Sequence, residues 1–326
     1  ALYTGNGSTQ TISGLGFSPD LAWIKSRSGA YVHYLVDTVR GAEKRLSSNN
    51  TNAEAINAQS LTAFNSDGFD LGNEQAVNEN NSTYTAWTWD AGSSTVTNTD
   101  GSITSSVRAN PSAGFSVVTY TGTGTAATVG HGLGVPPQLI IAKNRDISSN
   151  WSVYHTSLGK DYFLRLNTTD AQVNSANYWG TGGMTSTVFG IDGGIFLNTN
   201  TEKVVAYCFA PVSGYSSFGS YTGNGSTDGP FVFCNFRPRY ILVKNSSIVD
   251  NWEIYDTARS AYNATDHALR PDTSGAEFSH IANNRSFDIN SNGFKVRGST
   301  AGINGSGNTL IYAAFAENPF KYARAR

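Results

Sequence analysis

The hydrophobic and polar positions along this chain follow the two-residue period of β-strands. Phe115, Val117 and Thr119 alternate with Ser116, Val118 and Tyr120 over a short run. Asn65-Ser66-Asp67-Gly68-Phe69 and Asn290-Ser291-Asn292-Gly293-Phe294 read as a matched pair of hairpin turns. Their Asp-Gly and Asn-Gly steps supply the positive φ angles that a tight turn needs. Pro19, Pro137 and Pro238 stand just ahead of strands that end in Lys, where a missing N–H costs the ladder nothing. With about eight strand candidates per unit and turn residues every ~8–12 positions, the pattern predicts an all-β fold of two-sheet sandwiches, jelly-roll or concanavalin-like. A short helix is expected over 52–59 and another turn of helix within 258–269.

The pattern repeats. Tyr3-Thr4-Gly5-Asn6-Gly7-Ser8-Thr9 returns as Tyr221-Thr222-Gly223-Asn224-Gly225-Ser226-Thr227, with a looser copy at Tyr120-Thr121-Gly122-Thr123-Gly124-Thr125. Further on come strands ending at Lys25, Lys143 and Lys244, then Asp37, His155 and Asp256 at matching strand positions. Closing strands contain Trp87 and Trp89, Tyr207 and Phe209, and Phe315. Lys25 to Lys143 is 118 residues and Lys143 to Lys244 is 101; Asp37, His155 and Asp256 keep the same offsets. Four markers in one order at matched offsets define three tandem units of about 100 residues, the size of a domain rather than of a solenoid repeat. The units span 1–92, 114–214 and 215–326. Residues 93–113, rich in Ser, Thr, Asn and Gly, read as a linker or an arm crossing between units.

Composition narrows the function classes. Ser, Thr and Asn account for 101 of the 326 residues, charged residues for 14%, and the net charge is −2. Such a chain lacks the basic excess of a nucleic-acid binder and has no ~20-residue apolar run for membrane insertion. With 16 Tyr, 17 Phe and 6 Trp it has ample material for cores. Cys208 and Cys234 do not make a disulfide scaffold and read as small buried residues.

Catalytic patterns are missing from the sequence. His33, His131, His155, His267 and His280 form no metal-ligand spacing, and no phosphate-binding or nucleophile-elbow motif occurs. Paired carboxylates deserve a test because sandwich proteins can cleave glycans with two of them. Asp37 and Asp256 match in position, but the middle unit has His155 there, so the three units do not share a carboxylate. The position reads as a polar strand end bonded to its neighbouring Thr. Lys25, Lys143 and Lys244 read as strand-end lysines whose stems cover apolar surface while the amines reach water. Trp23, Trp87, Trp89, Trp151 and Trp252 lie in the repeated markers and read as core. Trp179 lies outside them, in the polar, Gly-rich stretch 174–183. Asn177, Tyr178 and Trp179 are therefore the candidate glycan-binding residues, with rings to stack on a sugar and an amide to bond its hydroxyls.

The motifs also carry a resemblance. Phe17-Ser18-Pro19-Asp20-Leu21-Ala22-Trp23-Ile24-Lys25, Thr97-Asn98-Thr99-Asp100-Gly101-Ser102-Ile103, the run Asn110 to Tyr120, and Phe315-Ala316-Glu317-Asn318-Pro319-Phe320-Lys321 are similar to repeated β domains in structural proteins of marine bacteriophages, often encoded near tail-fibre or tail-tip genes. The resemblance covers essentially the whole chain. It implies a non-enzymatic virion surface protein without cofactors that contacts other virion proteins and a host-surface glycan. Capsid decoration and a free lectin are the competing readings. A homo-oligomer, by analogy a trimer, is expected. In similar proteins this block often ends a longer chain. The first unit has little strand ahead of its motif, where the second has Phe115 to Thr119, which fits missing N-terminal sequence.

Overall fold

A strand whose first four residues are all apolar must be covered on both faces there. The computed structural model, which describes residues 1–279 and 284–317, shows what covers these. In Leu139–Asn144, Leu139 and Ile141 enter a core shared by all three units, while Ile140 and Ala142 enter a core private to the second. Leu21–Ser26 divides in the same way, with Leu21 and Trp23 on the shared side and Ala22 and Ile24 on the private side. So does Tyr240–Asn245, with Tyr240 and Leu242 opposed to Ile241 and Val243.

Each unit is built around an antiparallel inner sheet. In the first, the order is Leu2–Thr4, Thr83–Trp89, Leu21–Ser26, Tyr34–Asp37. In the second, Phe115–Thr121, Lys203–Phe209, Leu139–Asn144 and Ser152–His155 stand in the corresponding order; in the third, Ser216–Thr222, Thr309–Phe315, Tyr240–Asn245 and Trp252–Asp256 do. Smaller outer sheets close the private cores. Gln10–Ile12 joins Gly68–Leu71 and Leu61–Asn65, Ala127–Gly130 joins Val188–Ile191, and Phe231–Phe233 joins Gly293–Val296 and Phe287–Asn290. The fold is thus all-β and sandwich-like, with the inner sheets turned towards one another.

Where they meet, each closing strand contributes one aromatic ring. Trp89, Phe209 and Phe315 form a triangle with ring centroids 5.8 Å, 5.9 Å and 5.6 Å apart, at edge-to-face angles of 72°, 72° and 64°. This geometry places the positive ring edge against a negative face, which adds about 0.5–1.5 kcal/mol per pair to the gain from burial.

The Tyr-Thr-Gly motif has a local cause. A buried Asn, Asn78, Asn198 or Asn304, sits under each copy and accepts a hydrogen bond from the backbone N–H of Asn6, Thr123 or Asn224 at 2.9 Å. The motif tyrosine donates its hydroxyl to the carbonyl just before that Asn: Tyr3 to Val77, Tyr120 to Leu197 and Tyr221 to Ile303. Two glycines make this possible. A Cβ on Gly5, Gly122 or Gly223 would lie 2.2–2.3 Å from a carbonyl oxygen, and Gly7, Gly124 and Gly225 hold φ near +70°.

Several expectations are corrected. Residues 93–113, expected as a linker or an arm crossing between units, form an arm on the second unit alone: Thr95–Asn98 and Ser105–Asn110 make a hairpin that extends its inner sheet, Ser105–Asn110 pairing with Phe115–Tyr120. Buried Ser105 and Val107 give that strand its inward face. Residues 52–59 form no helix, because Ala55–Ile56 pairs with Lys44–Arg45. Within 258–269 the chain turns and then forms the strand His267–Leu269. Among the described residues the short helices are Gln75–Asn78, Ala301–Asn304 and the 3₁₀ turn Phe196–Asn198, each ending on a buried Asn. Both hairpins form as expected, Asn65 opposite Gly68 and Asn290 opposite Gly293, but neither loop uses a positive φ. Gly68 and Gly293 are needed for another reason: a Cβ there would lie 1.8 Å from the Ile12 carbonyl oxygen and 2.0 Å from that of Val232.

Truncating one corner of the aromatic triangle tests the shared core. Phe209→Ala is expected to lower the stability of the whole chain by about 3–5 kcal/mol in urea unfolding. Tryptophan fluorescence and far-ultraviolet circular dichroism should shift together.

Candidate functional site

The recurring polar residues line the seams between units. Asp37 accepts a hydrogen bond from the Tyr207 hydroxyl (2.9 Å), Asp256 accepts one from Trp87 Nε1 (3.0 Å), and His155 Nε2 faces the Tyr312 carbonyl (3.0 Å). Each reaches the closing strand of the next unit, from first to second, second to third and third to first. A second set runs the opposite way. His33 Nε2 meets the Arg270 carbonyl (2.9 Å), Trp151 Nε1 donates to Ser47 O (2.8 Å) and Trp252 Nε1 donates to Arg165 O (2.9 Å). A third set is backbone to backbone: Glu54 to Arg145, Gln172 to Ser246 and Glu277 to Arg27.

Charge divides these seams. In the first–second seam, Asp37 and Arg40 pair within the first unit, and Glu54 bridges Arg40 and Arg145. In the third–first seam, Asp256, Arg259, Glu277 and Arg27 repeat that network. In the second–third seam the four corresponding residues are His155, Leu158, Gln172 and Ser246, so these four positions carry no ion-pair network there. Asp37 is therefore bonded to Arg40 and Tyr207 rather than to its neighbouring Thr. Burial alone would raise the Asp256 carboxyl, but the Arg259 guanidinium and further donors outweigh burial and hold it below its ordinary range.

Breaking a buried ion pair on one side leaves a charge without a partner, at a cost of about 3–5 kcal/mol. Arg40→Leu is expected to lose that much in urea unfolding. Adding Asp37→His, which reproduces the second unit's pair, should restore at least about 1 kcal/mol.

The histidines described at these positions are neutral. The Trp23 indole donates to His33 Nδ1 and the Ser157 backbone donates to His155 Nδ1, so each Nε2 carries the proton. Burial pushes His155 down to about 4 and His33 well below its ordinary value. His131 is likewise fixed, between Leu133 N and Thr185 O, while His280 lies outside the described residues.

The lysines differ from expectation. Lys25, Lys143 and Lys244 are wholly buried, and their amines do not reach water. Lys25 Nζ donates to Ser26 O (2.7 Å) and Gly29 O (3.0 Å), and Lys143 Nζ to Asn144 O (2.8 Å) and Ser149 Oγ (3.0 Å). Lys244 Nζ donates to Asp250 O (2.7 Å) and, across the seam, to Thr169 O (3.1 Å). Burial lowers all three to about 8, so they remain charged at neutral pH and clamp the loops that follow their strands.

Asp272 is a local exception to the pattern. Asn49 and Asn167 accept the backbone N–H of His33 and Trp151 at the corresponding place in the other units. Burial pushes the Asp272 carboxyl up to about 6, against the Asn251 hydrogen bond and the Arg270 and Lys244 charges. The folded chain therefore holds this proton more tightly than the unfolded chain, whose ordinary value is 3.8. Stability from this group falls as pH rises from about 4 to about 6 and stays low above. Asp272→Asn is expected to raise stability at pH 7.5 by up to about 3 kcal/mol and to have little effect at pH 4, as read by thermal melts across that range.

The candidate glycan residues are not a surface platform. Trp179 is fully buried and Tyr178 is 7% exposed; both belong to the second unit's private core. The Tyr178 ring stacks on Phe163 at 4.0 Å, its hydroxyl bonds Ser152 at 2.6 Å, and Trp179 packs edge-on against Tyr154 at 5.7 Å. Asn177, in a left-handed conformation, binds Lys160 through its side chain and turns the chain inward. The rings are covered, so they cannot stack on a sugar. Cys208 and Cys234 are free and buried, as expected.

A cleft and an apolar pair are among the features open to solvent. An open cleft of about 470 Å³ lies between the first and third units, with Trp87, Tyr240, Asp256, Arg239 and Glu317 in its lining. Asp256 is held by Arg259, and Arg239 pairs with Glu317 at 3.0 Å. On the third unit's outer sheet, Phe231 and Phe233 are 45% and 60% exposed. Among the described residues, no group of three or more His, Cys, Asp or Glu is placed to hold a metal ion, and no helix is long and apolar enough to cross a membrane.

Residues 1–319 match a family model described as "Domain of unknown function (DUF7483)". No curated protein and no solved structure matches the chain.

Proposed function

The chain belongs to the DUF7483 family, and from that starting point we propose that it is a structural, non-catalytic module of a bacteriophage virion surface. It serves as a tail-fibre or tail-tip component that meets the host surface. The observation that carries this reading is the use of the recurring chemistry. Asp37, His155, Asp256, Lys25, Lys143 and Lys244 all have their polar atoms engaged in holding units or loops together. A catalytic reading would need some of these groups free to face a substrate. The sequence resemblance to marine phage structural proteins supports the same reading, and so does a composition in which Ser, Thr and Asn make up 101 of 326 residues. A surface rich in hydroxyls and amides is suited to hydrogen bonding with host glycans. With Tyr178 and Trp179 covered, glycan contact falls to exposed positions outside that loop.

Immunogold labelling of intact particles with antibody against this chain tests the proposal. Label on fibres or at the tail tip is the expected result. Label spread over the head would replace the proposal with capsid decoration, and a particle without label would favour a free lectin.

A further inference from the structure

We propose that the cleft between the first and third units is a strand seat. It takes three residues joined to the Ala1 nitrogen and laid antiparallel to Trp87-Thr88-Trp89, and it is where a polypeptide leading into Ala1 is mounted on the three-fold body.

The other two units show this seat filled. In the second, Phe115, Ser116 and Val117 lie opposite Phe209, Cys208 and Tyr207. In the third, Ser216, Ser217 and Phe218 lie opposite Phe315, Ala314 and Ala313. In the first, Leu2, Tyr3 and Thr4 lie opposite Thr85, Tyr84 and Thr83. Its ladder closes with Ala1, whose N donates to Ala86 O (2.7 Å) and whose O accepts from Ala86 N (2.9 Å). An antiparallel ladder alternates, so Thr88, two residues beyond Ala86, turns its own N–H and C=O to the same side. Among the described residues, no strand lies opposite Trp87, Thr88 and Trp89 on that side.

The seat is also a gap in the shared core. Phe115 and Val117 enter that core from the second unit, and Phe218 enters it from the third. Phe115 lies 4.8 Å from Phe209 and Phe218 lies 5.6 Å from Phe315, centroid to centroid. Two corners of the aromatic triangle thus have a ring from their own unit's leading strand. At the third corner, Trp89, that place is the cleft of about 470 Å³. Trp87, Trp89 and Tyr240 of the shared core line it, and so does Leu15, which packs against the first unit's private core. A slot bounded by both cores suits an extended segment, which directs alternate side chains to opposite faces.

Register defines the occupant. Three extended residues span about 10 Å. The first and third direct their side chains into the shared core, as Phe115 and Val117 do, and at least one of them is large and apolar, as Phe218 is beside Ser216. The slot runs out at Ala1 N, which is already bonded to Ala86 O. A separate chain would have to stop there, whereas a segment joined to that nitrogen continues the ladder without a break, through main-chain hydrogen bonds.

Two full chains test the seat. One is extended ahead of Ala1 by a copy of Phe115-Ser116-Val117 and the other by Asp-Ser-Asp, each behind the same Gly-Ser-Gly lead. Calorimetry should give the Phe-Ser-Val chain a melting temperature about 3 °C or more above that of the Asp-Ser-Asp chain. Hydrogen exchange of the Thr88 amide, followed by nuclear magnetic resonance in protein with isotope-labelled threonine, should slow about tenfold or more in the Phe-Ser-Val chain alone. Equal melting temperatures, or equal Thr88 exchange in the two chains, would overturn the proposal. So would a Thr88 amide already protected in the unextended chain. If deleting residues 318–326 releases it, the seat belongs to the chain's own C-terminal segment; if dilution releases it, the seat belongs to a second copy.

Discussion

The contact among Trp89, Phe209 and Phe315 is the constraint on which the rest of the structure depends. Each ring belongs to a closing strand with a sheet neighbour on either side, so fixing the triangle fixes the orientation of three inner sheets. Those sheets are apolar on both faces. One face is covered within the unit by an outer sheet, and the other is covered only by the remaining units. A unit standing alone would expose the face that carries Leu139, Ile141, Val153, Tyr207 and Phe209. Burial at about 25 cal/mol per Å² makes such exposure costly, and the units are accordingly one folding body with three private cores.

The seams follow from that arrangement. Polar strand ends brought against the shared core need partners, and they find them on the next unit in a closed cycle. A ring of identical chains would require three identical seams. A single chain is free of that requirement and uses the freedom. Two seams contain an Asp–Arg–Glu–Arg network, while the third has His155, Leu158, Gln172 and Ser246 at the same places. All four positions change together, which agrees with the expense of a buried charge that has lost its partner. The arrangement gives a three-fold body without a second chain.

Much of the fold was legible in the sequence because strand alternation and turn residues are local signals. The repeat markers were legible too, although the reason for Tyr-Thr-Gly lay in Asn78, Asn198 and Asn304, which follow the motif tyrosines by 75, 78 and 83 residues. The segment 93–113 stays open between linker and arm in the sequence because its Ser, Thr and Asn content suits a solvated edge strand as well as a linker. Trp179 was misread for a related reason. Polar neighbours suggested exposure, but a loop has no period by which to tell inward from outward, and the left-handed turn at Asn177 sends both rings into the core. Nothing in the sequence shows the carbonyl groups that converge on Lys25, Lys143 and Lys244.

Differential scanning calorimetry of the full chain tests the shared core most directly. If the three inner sheets depend on one another, heat unfolds the chain in a single transition whose calorimetric and van't Hoff enthalpies agree. Separate transitions, or a calorimetric enthalpy about three times the van't Hoff value, would mean that the units fold independently and that the aromatic triangle is only a contact between finished domains.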